Sequence, residues 1–168
     1  MKQLKCYFLT GILFVLITGT LSHFLYEWTG RNFLVGLFTP VNESVWEHLK
    51  LLFFPMLLFS AIMIRNLKKT YPCIASSLCF GILAGTLFIP VFFYSYTFIL
   101  GKNVFVLDLL SFLLGTVLAY FSAYNLTLSC RLSPYRLPLY CAVLLLFLCF
   151  MLFTCYPPDS GIFTVYSP

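Results

Sequence analysis

The chain has 168 residues, of which 61% are hydrophobic and only 9% charged, with a net charge of +5. Soluble domains carry about 25% charged residues, so this composition excludes a fully water-exposed surface and predicts one integral membrane domain over residues 1–168. The basic residues lie between apolar segments rather than on one polar face. They indicate contacts with membrane lipids and not with nucleic acid.

Five apolar segments are long enough for the roughly 20-residue helix that crosses a bilayer. They cover residues 6–26, 44–64, 72–100, 104–128 and 134–156. The predicted fold is therefore an all-α, polytopic membrane helical bundle. Pro55 and Pro90 lie inside the second and third segments, where a proline removes a backbone hydrogen bond, and Pro55 should free the carbonyl of Leu51. No Ala-x-Ala site follows the first segment, which is expected to remain as an uncleaved helix.

Lysine and arginine residues predict the orientation of these helices. The amino terminus and the second and fourth loops hold seven of them, whereas the other loops hold only Arg31 and Lys102. Because Lys and Arg stay on the cytoplasmic side, we expect the amino terminus inside and the carboxyl terminus outside. The expected location is a cell membrane, which the chain crosses several times.

The acids and histidines of the chain all fall on the predicted outer side. They end the first helix, open the second and fourth, and follow the fifth: His23, Glu27, Glu43, Glu47, His48, Asp108 and Asp159. Taken singly, an acid in the first turn of a helix is simply stabilised by the helix dipole. Ser44-x-x-Glu47 fits a capping box in which Glu47 bonds back to the Ser44 amide, and Lys50 can pair with Glu47.

Taken together, these side chains predict a metal or proton-transfer site. Zinc binds histidine nitrogen and carboxylate oxygen, and a catalytic zinc keeps one open position. The candidate cofactor is thus a divalent metal such as zinc, although no HExxH motif is present. The candidate metal ligands are His23, His48 and Glu47, and the candidate catalytic residues are Glu47, His48 and Glu43. The candidate binding residues are Asn42, Trp46, Lys50, Glu27 and Asp108.

Several other features predict local structure. Trp28 and Trp46 are expected as interfacial anchors, and residues 29–39 are expected to roof the polar cluster as an interfacial or re-entrant segment. Gly81-x-x-x-Gly85 predicts close helix packing inside the chain rather than dimerisation. The seven cysteines form no CxxC pair, which argues against a zinc ribbon or a disulfide framework and favours small packing residues.

The segment Pro40–Lys50 reads Pro-x-Asn-Glu-Ser-x-Trp-Glu-His-x-Lys, and the tail contains Phe153-Thr154, Pro157-Pro158 and Gly161-Ile162-Phe163. In both segments the chain resembles an uncharacterised family of small multi-spanning bacterial membrane proteins, found mainly in Firmicutes. The last residues, Thr164 to Pro168, differ from the family's usual ending. The resemblance implies the length, the helix count and a bacterial plasma membrane as the location, and it implies no activity.

Three functions remain open. The first is an accessory or structural membrane protein in which the polar cluster only orders loops and helix starts. The second is a metal- or acid/base-dependent membrane enzyme that acts on a lipid or envelope substrate. The third, a small transporter or substrate-binding subunit, is less favoured because five spans show no inverted repeat. Membrane lipids are the expected partners, with a homo-oligomer or other membrane proteins as alternatives.

Overall fold

The computed structural model describes residues 2–164, and within them the chain is helical with no strand. The helices are α1 (Lys2–Trp28), α2 (Phe33–Gly36), α3 (Val45–His48), α4 (Lys50–Leu67), α5 (Ile74–Leu100), α6 (Phe105–Ser129) and α7 (Arg136–Cys155). Short 3-10 turns cover Ser133–Tyr135 and Gly161–Phe163. Helices α3 and α4 form one span, Val45–Leu67, so five helices are long and apolar enough to cross a membrane. The prediction of a five-helix, all-α membrane bundle is confirmed.

Burial differs among the five spans and places α3–α4 at the centre. In its most apolar stretch 61% of this span is buried, compared with 22% for α1 and 11% for α7. Large apolar side chains are exposed on the outer helices, for example Leu9, Leu13, Leu144 and Leu145. Side chains of this kind are suited to contact with lipid tails, where an exposed apolar residue carries no cost.

Helices α5 and α6 pack against each other through small residues. A Cβ on Gly81 would lie 2.4 Å from the Ala119 carbonyl oxygen, and one on Gly85 would lie 2.7 Å from the Gly115 carbonyl oxygen. Only a glycine allows backbones to approach this closely. The predicted use of Gly81 and Gly85 in packing within the chain is confirmed.

Helix α1 runs antiparallel to α6, and two of its glycines lie against large α6 side chains. Gly11 lies against Tyr120, and Gly19 lies against Phe112 and against the carbonyl oxygen of Leu51. Pro55 has no N–H to bond that carbonyl, so the proline in α4 frees an acceptor that α1 then covers. The same register, continued by one turn, brings His23 and Asp108 to the same end of the bundle.

Two expectations, that the cysteines form no disulfide and that Trp46 is an interfacial anchor, were wrong. Cys73 and Cys130 form a disulfide with their Cα atoms 5.4 Å apart, because the α5–α6 hairpin brings its own two ends together. Trp46 is not an interfacial anchor, since it is 9% exposed and packs against Phe150, Phe153 and Phe163. Trp28, by contrast, is 67% exposed, as an interfacial side chain should be.

Candidate metal centre

The turn that precedes α3 is built by two side-chain hydrogen bonds. The Ser44 amide donates to Asn42 Oδ1 at 2.9 Å, and the Glu47 amide donates to Ser44 Oγ at 3.4 Å. Ser44 is therefore the N-cap, and Glu43 lies outside the helix. The expected bond from the Glu47 carboxylate to the Ser44 amide is not formed because Asn42 already occupies that amide. The Glu47 carboxylate accepts instead from the Val41 amide at 3.0 Å.

Glu47 and Lys50 form a buried ion pair. Their side chains are 3% and 0% exposed, and Lys50 Nζ lies 2.6 Å from Glu47 Oε2. Lys50 Nζ also donates to the Gly36 carbonyl at 3.0 Å and to Thr154 Oγ1 at 2.7 Å. The Thr154 hydroxyl donates its own hydrogen to Phe150, so its lone pairs are available to Lys50. The pair therefore joins α3–α4 to α2 and α7.

Residues 29–39, expected as a roof over the whole polar cluster, cover only this ion pair. The Gly36 and Thr39 carbonyl oxygens accept from Lys50 Nζ, the second at 3.4 Å. None of these residues lines the cavity beside the histidines.

His23, Glu43 and His48 converge at one end of the bundle. One ligand atom from each lies within 4.8 Å of the other two, and the two imidazole centroids are 5.2 Å apart. His48 Nε2 lies 3.3 Å from Glu43 Oε2. The cluster thus takes one side chain from α1, one from the turn before α3 and one from α3 itself.

The hydrogen bonds of His48 fix its tautomer. His48 Nδ1 lies 2.8 Å from the Ser44 carbonyl oxygen. A carbonyl oxygen can only accept, so Nδ1 carries a hydrogen. Nε2 faces Glu43; it carries the lone pair in the neutral ring, whereas in the protonated ring it carries a second hydrogen and donates to Glu43. Metal-binding histidines are held in this manner, with the other ring nitrogen donating to a backbone carbonyl.

His23 continues the buried stripe of α1 that contains Val15 and Gly19. Its Nδ1 atom is buried and makes no hydrogen bond with any residue from 2 to 164. A buried imidazole nitrogen without a partner is costly. This nitrogen is therefore the feature of the cluster that most needs a ligand.

Glu43 is the most exposed member of the cluster, with a side chain that is 60% exposed. The hydrogen bond from the protonated His48 ring holds the pKa of the Glu43 carboxyl below its ordinary value. Partial burial acts in the opposite direction and raises this pKa, but by less. Glu43 is thus an ionised acceptor at neutral pH, as a metal ligand must be.

Asp108 is held in place by a tyrosine from the neighbouring helix. The Tyr96 hydroxyl is in hydrogen-bond contact with Asp108 Oδ1, and it lies 2.6 Å from Asn103 Oδ1. Asp108 and Asn103 line the same cavity as the histidines. A carboxylate positioned in this way is a candidate proton acceptor.

The cavity has a volume of about 380 Å³ and lies between α1, α3–α4, α5 and α6. Its walls are mostly apolar, with Val45, Leu51, Ile89, Phe93 and Phe112 among them. His23, Glu43, His48, Asn103 and Asp108 supply the polar groups. Small-molecule sites typically combine an apolar wall of this kind with a few convergent polar groups.

The structure separates the predicted site residues into four that line the cavity, four that order the chain around it, and Glu27. His23, Glu43, His48 and Asp108 line the cavity. Glu47, Lys50, Asn42 and Trp46 order the chain around it, so Glu43 and not Glu47 is the carboxylate beside the histidines. Glu27 faces away in an exposed ion pair with Arg31 at 3.1 Å. Sequence reasoning missed Tyr96, Asn103 and Thr154, because their partners lie on other elements and no local spacing marks them.

Comparison with known proteins adds a family but no activity. No curated protein and no solved structure matches the chain. The model of DUF6512, a family of unknown function, matches residues 1–166, and the chain therefore belongs to the DUF6512 family.

Proposed function

We propose that this protein is a metal-dependent membrane enzyme that hydrolyses an ester bond in a lipid or envelope substrate. The observation that carries the proposal is the convergence of His23, Glu43 and His48 on the wall of an apolar cavity. Two histidines and one glutamate form a known ligand set of catalytic zinc.

The spacing of the cluster supports a shared metal ion. Two ligand atoms that both lie about 2.1 Å from a tetrahedral zinc are about 3.4 Å apart. His48 Nε2 and Glu43 Oε2 are separated by 3.3 Å. The third ligand atom lies within 4.8 Å of the other two, and a side-chain adjustment of up to about 1.4 Å closes the set.

Three protein ligands leave a fourth position for water or a substrate oxygen, and zinc lowers the pKa of bound water to about 7. Asp108 is our candidate for the proton transfers. It would accept a proton from the water that attacks the carbonyl or phosphoryl group, and return it to the oxygen of the departing alcohol. One water and one ester then give one acid and one alcohol.

Metal analysis of purified protein is the first test. The protein should be prepared with a tag that contains no histidine, and elemental analysis should find about one zinc per chain. His48→Ala and Glu43→Gln should reduce this content strongly. Glu27→Gln, which changes a glutamate one turn from His23 on α1, should leave the zinc content unchanged. Iron in place of zinc would overturn hydrolysis as the reaction, because the same donor set also serves iron oxygenases.

Hydrolysis itself is tested on protein reconstituted in liposomes of ester lipids. Release of free acid should stop after chelation and return when zinc is added back. Asp108→Asn should bind zinc normally and fail to hydrolyse. Release of acid at the same rate by wild type and His48→Ala would contradict the proposal.

An accessory role without catalysis is the second candidate. It is favoured by the 3.3 Å contact of His48 with Glu43, which is also the geometry of an ordinary ion pair when the imidazole is protonated. This role predicts no bound metal, and it predicts that His48→Ala only loosens the turn before α3.

A further inference from the structure

We infer that the cavity accommodates one acyl chain of a membrane lipid, which enters sideways between α1 and α6 and places its ester group at the polar end. This inference deepens the proposed function and rests on it for the role of the ester. The binding of the acyl chain itself depends only on the shape and the lining of the cavity.

The mouth of the cavity opens towards the surrounding lipid. Phe24 on α1 and Phe105 and Leu109 on α6 line the cavity and are also 48%, 76% and 54% exposed. Side chains that face both the cavity and the outer surface mark the opening. Because α1 and α6 are apolar spans, an opening between these side chains would admit an acyl chain from the surrounding lipid.

The inner end of the cavity is closed by packed helices. Gly19 lies against Phe112 and the Leu51 carbonyl, so α1, α4 and α6 meet there without space. The deep lining residues Ile89, Phe93 and Phe112 are only 5%, 6% and 9% exposed. A buried apolar wall of this kind suits a hydrocarbon chain better than a polar solute.

The polar groups lie at the opposite end of the cavity. His23 is near the end of α1, Asp108 is near the start of α6, and Glu43 precedes α3, whereas Leu51, Ile89 and Phe112 are about one or more turns deeper in their helices. An amphiphile that fills the cavity therefore has its tail inside and its ester beside the histidines. A soluble ester without a tail would leave the apolar wall empty.

Photolabelling distinguishes a chain inside the cavity from lipid outside the protein. The protein is reconstituted with a phosphatidylglycerol that carries a diazirine near the end of one acyl chain, irradiated, and mapped by peptide mass spectrometry. Exposed residues are labelled by any neighbouring lipid and decide nothing. The informative residues are the buried lining residues Ile89, Phe93 and Phe112, with Met56 and Phe59 as buried residues outside the cavity.

We expect label on the buried lining residues at several times the level found on Met56 and Phe59. Thr20→Trp places a large side chain at the mouth and should abolish this label, because Thr20 is exposed and lines the cavity. Leu21→Trp adds a similar bulk to the adjacent lipid-facing position, which is outside the cavity, and should leave the label unchanged. Label confined to exposed residues, or unchanged in Thr20→Trp, would overturn the inference.

The metal-free protein and Glu43→Gln serve to separate this inference from the proposed function. Both should retain the label on Ile89, Phe93 and Phe112, because the hydrocarbon wall does not involve the metal ligands. Label without bound zinc would support the acyl-chain site and remove the metal-dependent enzyme. Bound zinc without label on these residues would support the metal-dependent enzyme and remove the acyl-chain site.

Discussion

Lys50 Nζ lies 2.6 Å from Glu47 Oε2 inside the protein, with neither side chain more than 3% exposed. His48, which follows Glu47 in α3, points instead towards Glu43 and the cavity. Successive residues point about 100° apart around a helix, so one short helix contributes both a structural ion pair and a candidate ligand. Changes to Glu47 and Lys50 should therefore affect stability, and changes to His48 should affect metal binding.

Lys50→Met should destabilise the protein strongly. It leaves the Glu47 carboxylate buried without a cation and removes the donor to the Gly36 and Thr39 carbonyls. Breaking a buried pair in this way costs about 3–5 kcal/mol. Thermal unfolding in detergent checks the loss, with Lys102→Met, an exposed loop lysine, as the control. Equal melting temperatures for Lys50→Met and wild type would show that the pair does not hold α2 and α7 in place.

Gly19→Ala should weaken the contact between α1 and the centre of the bundle. Its Cβ would lie 2.5 Å from the Leu51 carbonyl oxygen and 2.6 Å from Phe112 Cζ, and a backbone carbonyl cannot move aside easily. Overpacking of this kind costs about 1–3 kcal/mol. Ile17→Ala, at a position that is 59% exposed, is the control and should have little effect. A Gly19→Ala protein with the same melting temperature as the wild type would contradict the close approach of α1 and α4.

The disulfide offers a test of the predicted orientation. Cys73 and Cys130 lie at the bundle end that also holds the loop residues Lys68, Lys69 and Arg131. If that end is cytoplasmic, both cysteines should be thiols in growing cells, since the cytosol reduces disulfides. They should react with a membrane-permeant maleimide and not with an impermeant one. A disulfide present in cells lysed under alkylating conditions would reverse the assignment of inside and outside.

Zinc affinity should fall as the pH is lowered from 7.5 to 5.5. Metal ligands must be deprotonated, so protons compete with zinc for the histidine ligands as the pH falls. The pKa of Glu43 is below its ordinary value, so Glu43 stays ionised across this range and contributes nothing to the loss. Any stability from Glu43 is likewise lost only at lower pH, as the carboxyl is protonated. A flat profile between pH 7.5 and 5.5 would exclude the histidines as ligands.

Composition and apolar segment length were sufficient to predict the helical bundle, because lipid imposes helices on spans of this length. The gathering of His23, Glu43, His48 and Asp108 at one bundle end also followed from the alternating direction of successive spans. Both predictions depend on where residues lie along the chain and not on how their side chains turn.

The choice between Glu43 and Glu47 could not be predicted in this way. Both are acids at the start of the second span, and only the cap at Ser44 leaves Glu43 outside the helix while Glu47 lies within it. Trp46 packs against Phe163 in the tail, and Cys73 forms a disulfide with Cys130 at the other end of the α5–α6 hairpin. These partners are set by tertiary packing, which leaves no local pattern in the sequence.

Zinc titration of metal-free protein tests the central claim most directly. Wild type and Glu27→Gln should each bind one zinc with the same affinity, while His23→Ala, His48→Ala and Glu43→Gln should each weaken binding by at least about tenfold. All variants should first be shown to melt like the wild type. Equal zinc affinity in wild type and in folded His48→Ala would contradict a metal centre formed by His23, Glu43 and His48.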